Sequence, residues 1–149
     1  MNETADRQGS VSRSSVPRAV GRFLLGGFLL LAGISHLTVS RVAFRAQVPT
    51  WLPVDTDLVV VASGIVEIVL GLSLVLLARR RVIVGLVVAV FFLLVFPGNI
   101  SQLVTHTDSF GLNTDLARGI RLLFQPLLVV WALWCTGAWM AIRNRRAQA

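Results

Sequence analysis

A carboxyl group sits in the middle of the most apolar stretch of this chain. Residues 59–78 form a run of twenty in which Glu67 is the sole charged side chain. Twenty apolar residues cross a bilayer core of about 30 Å as a helix. A carboxylate at that depth costs about 3 kcal/mol or more, so an intramembrane ionisable residue is read first as part of a functional site. Ser63, Glu67 and Gly71 recur every four residues and share one helix face. Two protonation states offer two chemistries. Ionised and paired with Arg121, Glu67 would hold a dipolar or anionic head group. Protonated, it would donate to a carbonyl or quinone oxygen.

The other polar residues of the apolar spans fall at a similar level. His36 stands near the outer end of the first span. Asn99, Gln102 and His106 follow at i, i+3, i+7 on the third, and Arg118, Arg121 and Gln125 at the same spacing on the fourth. All of these belong to the outer half of a bundle, and the inner halves are almost purely Leu, Val, Ile, Phe, Ala and Gly. The layout points to a wedge opening outward, lined by His36, Ser63, Glu67, Asn99, Gln102, Arg121 and Gln125. The competing reading is hydrogen-bond glue between helices, worth about 0.6 kcal/mol per contact. His36, Glu67 and a loop His106 fall short of a metal-ligand spacing, so no metal is expected. Two histidines at the mouth do not face each other as haem ligands would. One cysteine, Cys135, excludes a disulfide relay within the chain.

The elements that must position these groups follow from composition. The 149 residues are 55% hydrophobic and 14% charged, against about 25% charge in a soluble domain. The chain therefore reads as all-α, an integral membrane four-helix up-down-up-down bundle. Spans are expected at about 19–39, 58–78, 82–104 and 118–142, within one domain over 19–142. A disordered tail is expected at 1–18 and a basic tail at 143–149. A cleaved signal peptide is disfavoured, because the apolar run from Phe23 to Val39 exceeds an h-region of about 7–15 residues. Between the first two spans, Pro49, Trp51 and Pro53 mark a mouth segment that folds over the bundle, with Trp51 as an interfacial anchor. Pro97 should kink or loosen the third helix.

The fourteen basic residues are all Arg, and they set both orientation and partners. Arg7, Arg13, Arg18, Arg22, Arg79, Arg80, Arg81, Arg143, Arg145 and Arg146 fall on one side; Arg41, Arg45, Arg118 and Arg121 fall on the other. The positive-inside rule puts both termini and the 79–81 turn in the cytoplasm. The net charge of +7 is accordingly read as membrane-flanking charge, with no nucleic-acid partner. Membrane lipids are the expected partners, with a second copy of the chain as a further candidate.

A series of motifs then follows in order: Ala32-Gly33-Ile34-Ser35-His36, Val48-Pro49-Thr50-Trp51-Leu52-Pro53, Ser63-Gly64-Ile65-Val66-Glu67 with Gly71, Phe96-Pro97-Gly98-Asn99, and Arg121 with Gln125. The series resembles the DoxX-like family of small four-helix bacterial membrane proteins. Two departures stand out: Gly98 where Ala is expected after the proline, and Leu37 where Phe is expected after the histidine. The resemblance implies four spans and an accessory or anchor role in a quinone-linked redox or oxidative-stress system, with quinone or lipid as ligand and a redox protein as partner. It supplies no reaction, and no cofactor motif equips the chain for electron transfer alone. A ligand-binding protein or carrier without redox activity, or a purely structural anchor, are the alternatives.

Overall fold

The computed structural model describes residues 16–106, 108, 109, 111 and 114–147. The expected tail before Val16, Asn113 of the polar loop and the last two residues lie outside them. The described chain forms six α-helices: α1 (Val16–Leu37), α2 (Arg41–Arg45), α3 (Thr56–Leu76), α4 (Arg81–Val104), α5 (Asp115–Thr136) and α6 (Ala138–Arg146), with a 3-10 turn at Ala78–Arg80. Four of the described segments are long and apolar enough to cross a membrane: α1, α3, α5, and the 3-10 turn with α4. In hydrocarbon the backbone must satisfy its own polar groups, so such segments are helical throughout.

The ends of these helices are capped by side chains. Asp55 accepts from Leu58 N at 2.8 Å and starts α3, and Thr114 accepts from Ala117 N at 3.2 Å and starts α5. Arg22, buried in α1, donates to the Leu74 carbonyl, one of the last four of α3, which lack helical donors. The Arg22 guanidinium also lies 4.8 Å over the Phe23 ring.

Two glycine pairs draw α1 onto α3. A Cβ on Gly71 would stand 2.7 Å from the Gly26 carbonyl oxygen, and one on Gly33 would stand 2.5 Å from that of Gly64. Both pairs sit seven residues apart on each helix and run in opposite chain order, so α1 and α3 are antiparallel with their backbones in contact. Small residues permit such an approach between membrane helices. α4 packs on α5, where Gly85 faces the Thr136 side chain so closely that any Cβ would collide. The core between the pairs includes Leu25, Leu29, Leu74, Val88 and Phe92. α3 and α4 touch little, although one tight turn joins them.

Two boundaries differ from the sequence reading. α1 starts at Val16, inside the expected tail. The expected fourth span over 118–142 is two helices, because Gly137 adopts φ +77° and its N–H bonds to Trp134 O at 3.2 Å, a left-handed stop that only glycine takes readily. Trp139 therefore belongs to α6. The helix α4 runs unbroken through Pro97.

The mouth segment is anchored from both sides. Arg41 and Arg45 both hold Asp57 at the start of α3, Arg45 at 2.6 Å, and the hydrogen bond that Arg41 donates to the Asp57 carboxylate raises the Arg41 pKa above its ordinary value. Ser109 Oγ donates to Ala43 O at 2.6 Å. On α4, a Cβ at Gly98 would lie 2.7 Å from the Gln47 carbonyl oxygen. Gly98 thus lets the mouth segment rest directly on α4, a physical reason for glycine where the resemblance led to alanine. Replacing Gly64 by Val should separate α1 from α3 and lower stability by about 1–3 kcal/mol, as overpacking does. Gly27→Ala, which meets nothing within 4 Å, should leave the melting midpoint in detergent unchanged or slightly raised.

Candidate functional site

Beneath the mouth segment lies a cavity of about 480 Å³. Each of the four long helices contributes polar groups to it: His36 from α1, Ser63 and Glu67 from α3, Asn99 from α4, and Arg121 and Gln125 from α5. These are six of the seven residues that the sequence assigned to the wedge. The seventh, Gln102, is only 1% exposed and lies outside the cavity lining. Three residues after Asn99, it is turned about 60° from it on the helix, enough to carry it past the wall. Pro49 and Trp51 of the mouth segment line the cavity; Pro53 does not, and it is exposed.

His36 is the hub. Its Nδ1 lies 3.0 Å from Ser63 Oγ and 3.4 Å from the Val60 carbonyl oxygen; its Nε2 lies 3.6 Å from Glu67 Oε2. Ser63 and Glu67 stand one turn apart on α3, and the imidazole bridges the gap between them. The glycine contact makes this geometry: a Cβ on Gly64 would stand 2.8 Å from His36 Cβ. Phe44 of α2 covers the ring, with centroids 3.4 Å apart. Both His36 and Glu67 are buried.

A second chain of hydrogen bonds holds the opposite wall. Asn99 Nδ2 donates to Gln125 Oε1 at 2.9 Å, and Gln125 Nε2 donates to the Phe92 carbonyl at 2.6 Å. Pro97 has no N–H to offer the Leu93 carbonyl, and Gln125 braces the adjacent carbonyl of this weakened turn. Two buried polar atoms of the cavity residues have no hydrogen-bond partner, Glu67 Oε2 and Gln47 Nε2. A buried polar group left unmatched costs about 1–3 kcal/mol, so both atoms are suited to meet a ligand. Gln47 and Phe44 were not among the residues singled out from sequence. A glycine directly after a helical proline, Gly98, was the available signal that a backbone approaches there.

The rest of the cavity wall is apolar, with Phe28, Leu29, Phe92, Leu94, Val95 and Leu128. Polar groups are thus set against hydrocarbon walls, the arrangement of an amphipathic ligand site. His106 lies apart from it in the outer loop, with Nδ1 2.8 Å from Asp115 Oδ1, and Arg118 bonds Asp115 at 2.7 Å and also Asp108. This rim cluster fastens the loop to the start of α5. Gln125→Leu should strip Asn99 of its acceptor and the Phe92 carbonyl of its side-chain donor and cost about 1 kcal/mol, read as a lower thermal midpoint with the helix content retained.

The family model described as Domain of unknown function (DUF8561) matches residues 25–136, and the chain belongs to that family. The match takes in most of α1, all of α2 to α5, and with them the whole lining of the cavity. No curated protein and no solved structure matches the chain.

Proposed function

We propose that this DUF8561 member is a multi-pass protein of a bacterial plasma membrane that holds a small amphipathic molecule, a quinone or a lipid, in an outward-facing pocket. It serves as an accessory or anchor subunit of a quinone-linked redox or oxidative-stress system. The four long helices alternate up and down, with both termini and the Arg79–Arg81 turn in the cytoplasm, where ten of the fourteen arginines then fall. The observation that carries the ligand reading is the cavity itself: apolar walls, and Glu67 Oε2 and Gln47 Nε2 without partners in it. The resemblance of the Ser63–Gly71 and Phe96–Asn99 motifs to the DoxX-like family supports the redox setting. A polar head would meet Glu67, Arg121 and Gln47 while its tail lies against Phe28, Leu29 and Leu128.

The test compares wild type with Glu67→Gln, extracted gently from native membrane and analysed by lipid and quinone mass spectrometry. Wild type should retain one quinone or lipid class at near-stoichiometric level, and the variant should lose at least tenfold of it. Identical, unselective lipid in both would reduce Glu67 to a packing contact and favour a structural anchor.

A further inference from the structure

We propose that Ser63, His36 and Glu67 form a hydrolytic triad that cleaves an acyl ester whose chain lies in the apolar part of the cavity. The proposal rests on the pocket reading above and adds an activity to it. Nucleophilic catalysis by serine needs a hydroxyl, a base within hydrogen-bond reach and a group that orients the base. Ser63 Oγ and Glu67 Oε2 approach opposite nitrogens of one imidazole, at 3.0 and 3.6 Å. In a site without substrate, catalytic contacts are often this long and tighten on binding. All three side chains line the same cavity. An acyl transfer site also needs donors for the developing oxyanion. Gln47 Nε2 is buried without a partner there, and the Arg121 guanidinium faces the same space.

The chemistry balances with water as the sole co-reactant. Ser63 Oγ adds to the ester carbonyl carbon, and its proton passes to His36 Nδ1. The hydroxyl now donates to the Val60 carbonyl at 2.9 Å, so the proton must first rotate toward the ring. The carbonyl–alkoxy bond breaks, and the alkoxide takes the proton from Nδ1 and leaves as an alcohol. Water then attacks the acyl-Ser63 ester, giving its proton to Nδ1. The bond to Ser63 Oγ breaks, the hydroxyl is restored from Nδ1, and a carboxylic acid is released. Once the 3.6 Å contact tightens on binding, the Glu67 carboxylate accepts from Nε2–H and offsets the charge of the imidazolium. Ser63 and His36 are the catalytic residues; Glu67 is a positioning residue. The ester can come from a membrane lipid or from a soluble molecule, since both present the same carbonyl.

The experiment uses the full chain in nanodiscs, an octyl fluorophosphonate probe and p-nitrophenyl octanoate. Wild type should be labelled on Ser63, located by peptide mass, and should hydrolyse the ester. Ser63→Ala should lose both at an unchanged thermal midpoint, and His36→Gln should react roughly a hundredfold more slowly. Glu67→Gln should alter the pH profile of labelling, with partial recovery in Glu67→Asp, which a purely structural role would not give. Release of fatty acid from phosphatidylglycerol vesicles would identify a lipid source; turnover of the soluble ester alone would identify the other. An unlabelled wild type whose cavity still binds a lipophilic fluorophore overturns the triad and leaves the pocket reading intact. Loss of fluorophore binding as well overturns both, and label on any residue other than Ser63 overturns the triad.

Discussion

Backbone contact between α1 and α3 at Gly26–Gly71 and Gly33–Gly64 is the constraint on which the rest of the structure depends. With no side chain at these positions, one helix carbonyl approaches the space where the other helix would carry a Cβ, within 2.5–2.7 Å. Dispersion and backbone contact replace the hydrophobic effect, which does not drive one apolar helix onto another inside hydrocarbon. The outer pair then delivers His36 between Ser63 and Glu67. A side chain at Gly64 would press on His36 Cβ at 2.8 Å and on the Gly33 carbonyl oxygen at 3.0 Å, and because a Cβ is fixed to its backbone it would move the histidine and α1 together.

The same close approach divides the molecule into two halves with different tasks. Toward the Arg79–Arg81 turn, core residues such as Leu25, Leu74 and Val88 fill the space between helices, and Arg22 closes the end of α3. Toward the mouth, α3 and α4 make little contact, and the space between them is left to the cavity and its polar lining. Polar groups there are costly unless matched. Asn99, Gln125 and the Phe92 carbonyl match one another, whereas Glu67 Oε2 and Gln47 Nε2 do not. The mouth segment, held by Asp57, Ser109 and the notch at Gly98, brings Phe44 and Gln47 over the site from above.

Much of this was legible in the sequence, because membrane helices write their length and polarity plainly. The runs around Glu67 and from Val82 onward marked α3 and α4 to within a few residues, and depth along each helix was enough to gather six of the cavity's polar residues. Depth alone does not give rotation, which is why Gln102, at the right level, lies outside the cavity. Turn chemistry was under-read at Gly137: a glycine amid Trp134, Cys135 and Trp139 looked like a continuation of the span, yet its left-handed backbone ends α5. The mouth residues were the hardest. Nothing in the spacing of Phe44 or Gln47 shows that they meet His36 and Gly98, since those contacts come from the path of a loop and not from periodicity.

The central claim is that His36 bridges Ser63 and Glu67 because two glycines let the helices meet. Nitrogen-15 NMR of the His36 ring in bilayers tests it most directly, with His106, the other histidine of the chain, replaced by Gln for assignment. The account predicts a hydrogen-bonded shift at Nδ1 and a shift at Nε2 set by the nearby Glu67 carboxyl, with Ser63→Ala moving Nδ1, Glu67→Gln moving Nε2, and Gly64→Ala moving both. Ring signals unmoved by all three substitutions would contradict it.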